Sequence, residues 1–189
     1  MKKLLFIALL TFSQLALAEW TLDNDNSQLN FDSTKNNTIT ETHTFQALSG
    51  TVADNGKANL IIVLTSVDTK VPLRDERMRT MLFETEEYPR AEFITQVNKP
   101  HIEKLAVGDS TLQTLKGELQ LHGTKKPITA EVKITRLADN KVEIATVKPI
   151  IVNANDFKLH QGVENLREIM GLNSITPEVP VSFRLVFVE

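Results

Sequence analysis

The chain has 189 residues, no cysteine, a hydrophobic fraction of 41% and a formal net charge of −3. A chain of this length buries enough surface to fold as one domain, and the lack of cysteine excludes the disulfide-rich small scaffolds. The slightly acidic balance, with no clustered basic face, excludes the electrostatic footprint of a nucleic-acid-binding protein.

Residues 1–18 have the features of a secretory signal segment. Lys2 and Lys3 give a positive start, residues 4–17 form an apolar run, and the segment ends in Ala-Leu-Ala, a small-residue cleavage site. A membrane anchor is the alternative, but a spanning helix needs about 20 apolar residues, and this run is shorter and polar in its middle. We therefore expect residues 1–18 to be cleaved and residues 19–189 to form one soluble domain in the periplasm.

The first part of the mature chain alternates between apolar and polar residues, which predicts β-strands. The predicted strands are Trp20–Asp23, Ser27–Ser33, Thr38–Leu48 and Ala58–Thr65, with turns at Asn24–Asn26, Asn36–Asn37 and Asp54–Gly56. Residues 58–65 are apolar on both faces. This pattern indicates a barrel wall that is covered on its outside, or a packed dimer surface.

Ser66–Pro89 interrupts the strand rhythm and predicts a short amphipathic helix. Pro72 ends the preceding strand, and Asp75 is the expected N-cap. The apolar residues that recur with helical spacing are Met78, Met81 and Leu82. Because so short a helix is marginal alone, its apolar face must dock, either as a plug for a barrel end or as a lid that touches a ligand.

Three arginines, Arg74, Arg77 and Arg79, lie off that apolar face. At a barrel mouth they could bind an anionic head group, since guanidinium matches phosphate in a bidentate way. The more ordinary alternative is a charged solvent face that pairs with Glu76 and the later glutamates.

Strand-like alternation resumes after Pro89. The further predicted strands are Ala91–Thr95, Thr111–His122, Ile128–Ile134, Val142–Val147 and Val179–Val188, with turns at Gly108–Ser110, Gly123–Pro127 and Ala138–Lys141. Asn153–Phe157 is expected to be an irregular edge. Val163, Leu166 and Met170 predict a second short helix, which Gly171 ends at its C′ position.

The predicted elements indicate an all-β fold with about eight strands and one or two short helices. Such a chain forms either an up-and-down barrel or a sandwich, and periodicity does not separate the two. An eight-stranded barrel has an interior just wide enough for its own side chains or for one slim ligand.

Motifs for metal binding and catalysis are lacking in the sequence. The four histidines, His43, His101, His122 and His160, have no metal-ligand spacing. There is no nucleophile motif and no glycine-rich phosphate loop. The carboxylates around the predicted helix are typical of a solvated rim, so we predict neither a metal site nor a catalytic site.

Four groups of residues carry a resemblance to a known family. They are Ser66–Thr69 with Arg74–Arg79, Phe83–Glu84 and Tyr88–Pro89; Gly117–Gly123 with Lys126–Pro127; Trp20–Asp23 with Ser27 and Phe31; and Phe45 with Ser49–Gly50. These groups resemble the motifs of the YceI-like family of secreted polyisoprenoid-binding proteins, over nearly the whole mature chain. The resemblance implies a lipocalin-like, eight-stranded antiparallel barrel that binds a long-chain isoprenoid or similar amphiphile along its axis and often dimerises, with no catalytic position.

The chain also departs from the family pattern. Lys35 stands where many members have a histidine, Arg77 replaces another histidine, and His43 occupies a usual glycine position. Met78 stands where a leucine is usual, and residues 153–159 lack the arginine and glycine of the family's version. We interpret the chain as a member of a divergent branch.

The sequence thus leads to the hypothesis of a periplasmic lipid-binding protein, not an enzyme, that transports or stores an isoprenoid or quinone-type lipid. The predicted tunnel-lining residues are Phe31, Phe45, Leu60, Ile62, Met78, Met81, Leu82, Phe93, Leu119, Leu121, Phe157 and Phe183. No cofactor other than such a lipid is expected, whereas a homodimer and a transient contact with a membrane or membrane protein are compatible with the sequence.

Two alternatives remain open at this point. One is a secreted enzyme that acts on such a lipid, for which His122 and Asp156 are the only candidate catalytic residues. The other is a stress-related adaptor whose barrel is filled by its own side chains.

Overall fold

The structure is a computed structural model and describes residues 19–189. The signal segment predicted for residues 1–18 lies outside the described residues. Between residues 19 and 189, no helix has both the length and the apolar character needed to cross a membrane.

The described residues form twelve β segments and several short helices. The β segments are β1 (Trp20–Leu22), β2 (Gln28–Lys35), β3 (Ile39–Phe45), β4 (Leu48–Val52), β5 (Lys57–Val63), β6 (Val67–Asp68), β7 (Arg90–Gln96), β8 (Ser110–Leu121), β9 (Thr124–Ala138), β10 (Lys141–Thr146), β11 (Ile150–Asn153) and β12 (Glu178–Val188). The α-helices are α1 (Pro72–Arg77), α2 (Lys99–Glu103) and α3 (His160–Ile169), and a π-helix, Met78–Leu82, continues α1.

Eight of these segments close into an antiparallel ring. Its order is β1, β4, β5, β7, β8, β9, β10 and β12, and β12 pairs with β1 to complete it. The other four segments extend ring strands beyond short interruptions: β2 extends β1, β3 extends β4, β6 extends β5 and β11 extends β10. The predicted eight-stranded barrel is therefore confirmed, and the pairing of β1 with β12 excludes the sandwich.

The connections alternate between the two ends of this barrel, because each strand pairs with its neighbour in the chain. One end, which we call the cap, carries the loops 36–38, 69–89, 122–123 and 154–177, including α1, the π-helix and α3. The opposite end, which we call the base, carries the loops 53–56, 97–109 and 139–140, including α2.

The base half of the barrel is filled by side chains. The core residues at the base with almost no exposed surface include Val52, Ile102, Val132, Ile134 and Val142. Helix α2 closes this end with Lys99, whose Nζ lies 2.6 Å from Asp54 Oδ1 and 5.3 Å from the centroid of the Trp20 ring. A buried ammonium is tolerated here because a carboxylate and an aromatic face both stabilise its charge.

The predicted N-cap of the first helix is wrong. Helix α1 begins at Pro72, its N-cap is Val71, and no side chain caps it. Asp75 instead accepts hydrogen bonds from the backbone N–H of Thr69 (2.8 Å) and from the Thr69 hydroxyl (2.5 Å). The carboxylate thus fixes the strand-to-helix corner, and proline takes the first helical turn, where its missing N–H costs nothing.

The predicted turn Gly123–Pro127 is too long. The turn consists of His122 and Gly123 alone, with φ of +47° and +67°, and Leu121 pairs directly with Thr124. Two successive residues with positive φ match the right-handed twist of a hairpin, which is why a two-residue loop suffices. Residues 124–127 therefore belong to β9.

Other boundaries also differ from the sequence expectation. Predicted strand 38–48 is split into β3 and β4, and predicted strand 58–65 ends at Val63, because Leu64–Ser66 forms a 3₁₀ turn. The predicted edge 153–157 contains the end of β11 and another 3₁₀ turn, Ala154–Phe157. The second predicted helix is confirmed as α3, followed by Gly171 with φ of +62°.

Candidate functional site

An apolar cavity of about 170 Å³ lies in the cap half of the barrel. It is lined by Leu29, Phe31, Phe45, Leu60, Ile62, Leu64, Leu82, Phe83, Ala91, Phe93, Leu119, Leu121, Ile128, Ile150, Val152, Ala154, Leu159, Val163, Val179, Val181 and Phe183. Apolar cavities on the order of 150 Å³ stay dry and bind small hydrocarbons. Because none of the lining side chains is polar, the cavity favours a hydrocarbon group over water.

Gly117 helps to keep this space open. It lies on β8 at the same alternation as Leu119 and Leu121, and a Cβ there would be 2.6 Å from Phe93 Cζ and 2.4 Å from the Ile94 carbonyl oxygen. The missing side chain lets the Phe93 ring lie against the wall of β8. A larger residue at position 117 would push that ring into the cavity.

The roof of the cavity comes from the cap. Phe83 follows the π-helix, and its backbone N–H donates to the Met78 carbonyl over five residues, with an N···O distance of 2.9 Å. Its buried ring lies 5.8 Å from the ring of Phe45, measured between centroids. π-helical turns are frequent at functional sites, and this one places Leu82 and Phe83 over the cavity.

Helix α3 packs on this π-helix at close range. A Cβ on Gly162 would lie 2.6 Å from the Met81 carbonyl oxygen and 2.8 Å from Leu82 Cα. Glycine is therefore required for the two backbones to meet. This contact joins the π-helix and α3 into one roof, and Val163 of α3 also lines the cavity.

A second cavity of about 220 Å³ lies beside the first, between β2, the π-helix and α3. We call it the antechamber. The two cavities share the wall residues Phe31, Leu82, Val163 and Val179. The polar side chains that line the antechamber are Asp32, Ser33, Lys35, His43, Arg74, Arg77 and Thr176. The apolar cavity thus opens toward a polar neighbour.

An ion cluster ties the first cap helix to the barrel wall at the antechamber. Arg74 Nη1 donates to Glu41 Oε2 over 2.9 Å, Arg74 Nη2 donates to the Thr69 carbonyl over 2.7 Å, and Lys35 contacts the same Glu41 carboxylate. The hydrogen bond from Lys35 and the charge of Arg74 lower the pKa of Glu41. Glu41 is therefore ionised at neutral pH and shared by two cations.

His43 lies next to this cluster and is 4% exposed. Its Nε2 is 2.8 Å from Ser33 Oγ, and its ring packs tilted against Phe31 with centroids 5.2 Å apart. Its Nδ1 is buried with no hydrogen-bond partner among the described residues. Burial, and then the charge of Arg74, lower the pKa of His43. The imidazole is therefore neutral at pH 7.

The structure places most of the predicted tunnel residues around the apolar cavity. Those on its wall are Phe31, Phe45, Leu60, Ile62, Leu82, Phe93, Leu119, Leu121 and Phe183. Met78 lines the antechamber instead. Met81 and Phe157 line neither cavity: Met81 packs beside Gly162 of α3, and Phe157 is buried in the core below the 3₁₀ turn. Contact of these residues with a ligand stays a prediction.

Sequence reasoning missed about half of the wall. The unpredicted residues are Leu29, Leu64, Phe83, Ala91, Ile128, Ile150, Val152, Ala154, Leu159, Val163, Val179 and Val181. Alternation on β12 could have identified Val179 and Val181, since they share a face with Phe183. No local pattern indicates the residues that the cap loops contribute, because their position depends on how α3 packs.

The two candidates for catalysis do not lie at the cavity. His122 is in the β8–β9 turn, with Nε2 2.7 Å from Glu84 Oε2 and its ring 4.3 Å from that of Tyr88. Asp156 is exposed, and neither residue lines the apolar cavity or the antechamber. Within residues 19–189, no group of His, Cys, Asp or Glu side chains is arranged to hold a metal ion.

The arginines of the cap behave differently from one another. Arg79 pairs with Glu76 at 2.8 Å on the solvent side, as the ordinary alternative expected. Arg74 turns inward to Glu41 and Thr69, and Arg77 lines the antechamber. A solvent-facing role is therefore wrong for Arg74.

Comparison with known proteins gives one family and several solved structures. The YceI-like domain model matches residues 20–187. A polyisoprenoid-binding domain from Saccharophagus degradans, implicated in plant cell wall breakdown, is 37% identical, covers 91% of this chain and 98% of its own, and has a TM-score of 0.88.

More distant structures share the fold. BcnA of Burkholderia cenocepacia is 19% identical over 87% of this chain and 98% of its own, with a TM-score of 0.68. The YCEI protein of Campylobacter jejuni is 17% identical over 78% of this chain and 84% of its own, with a TM-score of 0.57. No curated protein matches the chain at a significant level.

Proposed function

The chain belongs to the YceI-like domain family, and from this membership and the cavity we propose that it binds a long-chain isoprenoid or a similar amphiphilic lipid. The apolar cavity carries the proposal, because all of its lining side chains are hydrocarbon and the adjoining antechamber, of about 220 Å³, extends the space for a slim chain. The similar domain from Saccharophagus degradans is a polyisoprenoid-binding domain, which supports the same class of ligand for this chain.

The binding energy comes from burial of the ligand's hydrocarbon surface. Each Å² of apolar surface removed from water contributes about 25 cal/mol, and the cost of ordering a flexible chain is subtracted from that sum. A branched, partly unsaturated prenyl chain has fewer freely rotating bonds than a saturated chain of equal length. It therefore loses less conformational entropy on entering the cavity.

The shared wall of the two cavities gives a path for a long ligand. A chain seated under Leu82 and Phe83 leaves the apolar cavity beside Phe31 and Val179, and its polar end then reaches the antechamber. A chain longer than the apolar cavity is accommodated in this way without crossing the packed base.

We propose that the protein acts in the periplasm, where it transports or stores such a lipid. The expected signal segment supports export, and transient contact with a membrane or membrane protein supplies and removes the lipid. A homodimer stays a prediction from family resemblance. The lack of His122 and Asp156 at the cavity leaves the enzyme alternative without its two candidate residues, and the open cap half argues against a barrel filled by side chains.

Native mass spectrometry of protein purified from its own periplasm tests the proposal. We expect an adduct with the mass of a prenyl lipid, and we expect delipidated protein to take up geranylgeraniol. Protein that is repeatedly empty, and that also fails to take up geranylgeraniol, contradicts the proposal.

A pair of variants locates the binding to the cavity. Val152 lies on the cavity wall, whereas Val147 is exposed on the outside of the barrel. We expect Val152→Phe to fill the cavity and abolish uptake, and Val147→Phe to leave uptake unchanged. Equal uptake by both variants would place the lipid somewhere else.

A further inference from the structure

The inward-facing residues of β2 and β3 change from apolar to polar toward the cap. Leu29 and Phe31 of β2 line the apolar cavity, but the next inward positions toward the cap are Ser33 and Lys35. On β3, Phe45 is followed in the same direction by His43 and Glu41. Polar residues that face the inside of a barrel are costly unless they are satisfied.

Two buried nitrogen atoms, one in this polar stretch and one beside it on α1, lack a hydrogen bond from the described residues. His43 Nδ1 and Arg74 Nε are both buried, and neither has a hydrogen-bond partner among the described residues. Both side chains line the antechamber. A buried polar group without a partner destabilises a fold by roughly as much as a typical hydrogen bond stabilises it, or more. Two of them beside one cavity indicate that an absent group completes the arrangement.

The charges around the antechamber favour an anion. The cations are Lys35, Arg74 and Arg77, and the carboxylates are Asp32 and Glu41. The side chains of Lys35 and Arg74 are only 15% and 17% exposed, whereas the Glu41 carboxylate that they share is 37% exposed. The positive groups are thus the more deeply buried, where electrostatic interactions are strongest.

Besides Asp32 of β2 and Glu41 of β3, the elements packed against His43 add no carboxylate to the antechamber lining. Helix α3 and the segment after it contribute Val163, Leu166, Met170, Ile175 and Thr176 to the antechamber, and β12 contributes Val179. Asp75 of α1 is occupied by its two hydrogen bonds from Thr69. An anion at this site would therefore meet cations and donors on one side and apolar groups on the other.

From these observations, we propose that the antechamber is a head-group subsite that selects amphiphiles with an anionic phosphate or carboxylate head. Arg74 and Arg77 bind its oxygens, Lys35 supplies a further charge, and His43 donates from Nδ1–H while its Nε2 accepts from the Ser33 hydroxyl. Guanidinium groups suit oxyanions because they offer paired N–H donors. The proposal rests on the proposed function, since the chain of the same ligand occupies the apolar cavity.

Three of the residues around this subsite, Lys35, His43 and Arg77, stand at positions where the sequence departs from the motifs that it resembles.

The test compares two prenyl ligands that differ only in the head group, and adds inorganic phosphate as a head group without a chain. Delipidated protein is titrated with geranylgeraniol, with geranylgeranyl monophosphate and with inorganic phosphate, at constant ionic strength. We expect the monophosphate to bind at least about tenfold more tightly than the alcohol, which corresponds to one good charge-assisted contact, and inorganic phosphate to bind far more weakly than either.

Variants then assign the preference to the subsite. Arg77→Gln and Lys35→Gln are chosen because neither side chain lies in the apolar core. We expect each to reduce the affinity for the monophosphate several-fold more than it reduces the affinity for the alcohol. Arg79→Gln, on the solvent side, is the matched control and should change neither affinity.

Each other outcome overturns a stated claim. Equal affinity for alcohol and monophosphate, or a preference that survives both variants, overturns the head-group proposal and leaves lipid binding intact. Inorganic phosphate that binds as tightly as the prenyl monophosphate makes the subsite one for free phosphate. Failure of both prenyl ligands to bind overturns the proposed function itself.

Discussion

The two halves of the barrel are built from the same alternating strands, yet side chains nearly fill the interior of one half and leave a cavity in the other. At the base, inward residues such as Val132 and Ile134 are fully buried and fill the interior. Toward the cap, the same strands leave a cavity of about 170 Å³ beneath the π-helix and α3. The difference shows that one barrel can combine a tightly packed base with a cap half that keeps the cavity in which we propose that the ligand binds.

The largest expected effect is a difference in stability between two variants in which isoleucine is shortened to alanine, one in each half of the barrel. We expect Ile134→Ala at the base to lower the free energy of unfolding by an amount near the upper part of the usual range of about 2–5 kcal/mol. Ile62→Ala on the cavity wall should cost clearly less, because this side chain already borders empty space. Urea denaturation of both variants measures the difference. Equal losses would mean that the cap half is packed as tightly as the base.

A smaller effect is expected at the contact between the two cap helices. Gly162→Ala places a Cβ within 2.6 Å of the Met81 carbonyl oxygen, so the roof must shift. We expect a loss of about 1–3 kcal/mol, as in other overpacked sites, together with faster release of bound prenyl lipid. Gly171, just after the same helix, provides the control. Its φ of +62° strains an alanine, but no atom lies near enough to be pushed, so Gly171→Ala lowers stability without moving the roof. Unchanged release in folded Gly162→Ala would show that the roof is not a gate.

The two methionines of the cap offer a finer test of which side chains meet the ligand. Met78 lines the antechamber, whereas Met81 lines neither cavity. We expect Met78→Gln to weaken retention of a prenyl lipid several-fold and Met81→Gln to have little effect, as measured by native mass spectrometry on folded protein. Similar losses for both variants would mean that the helix acts only as a structural plug.

The smallest expected effect is a pH dependence carried by His43. Burial lowers the pKa of His43 below its ordinary value of 6.5, so the unfolded chain takes up a proton that the folded protein does not. Folding stability should therefore fall as the pH falls below about 6.5. Melting temperatures of ligand-free protein and of His43→Gln between pH 7.5 and 5.5 measure it. A pH slope that is the same in both proteins would remove His43 as its source.

Sequence reasoning was strongest where local pattern and tertiary structure agree. Alternation and family motifs predicted the barrel, since each strand shows its inward face in its own residues. The closure through β1 and β12 has no local signal, because it joins the first and last strands. The cavity has no local signal either: Leu82 and Met81 are neighbours in one apolar face, but only the docking of α3 decides which of them faces the cavity.

Some errors were avoidable. Helix α2 was not predicted, although Asn98 and Pro100 at its start are an N-cap and a first-turn proline. Asp75 was expected to cap a helix on the basis of its type, but its partner Thr69 precedes it by six residues. The polar inward positions Ser33 and Lys35 are visible in the alternation of β2, and with the arginines of the predicted helix they are the sequence signals for the antechamber.

The position of β12 in the ring has a consequence for how the protein is made. This strand pairs with β10 and β1 through its second half and with β2 and β11 through its first half. Contacts between the two ends of a chain form slowly, because a long loop must close first. During synthesis, the ring therefore stays open until β12 has emerged, and until then β1 and β10 each keep one unpaired edge. The closed barrel, and with it the enclosed cavity, exists only once this strand is in place.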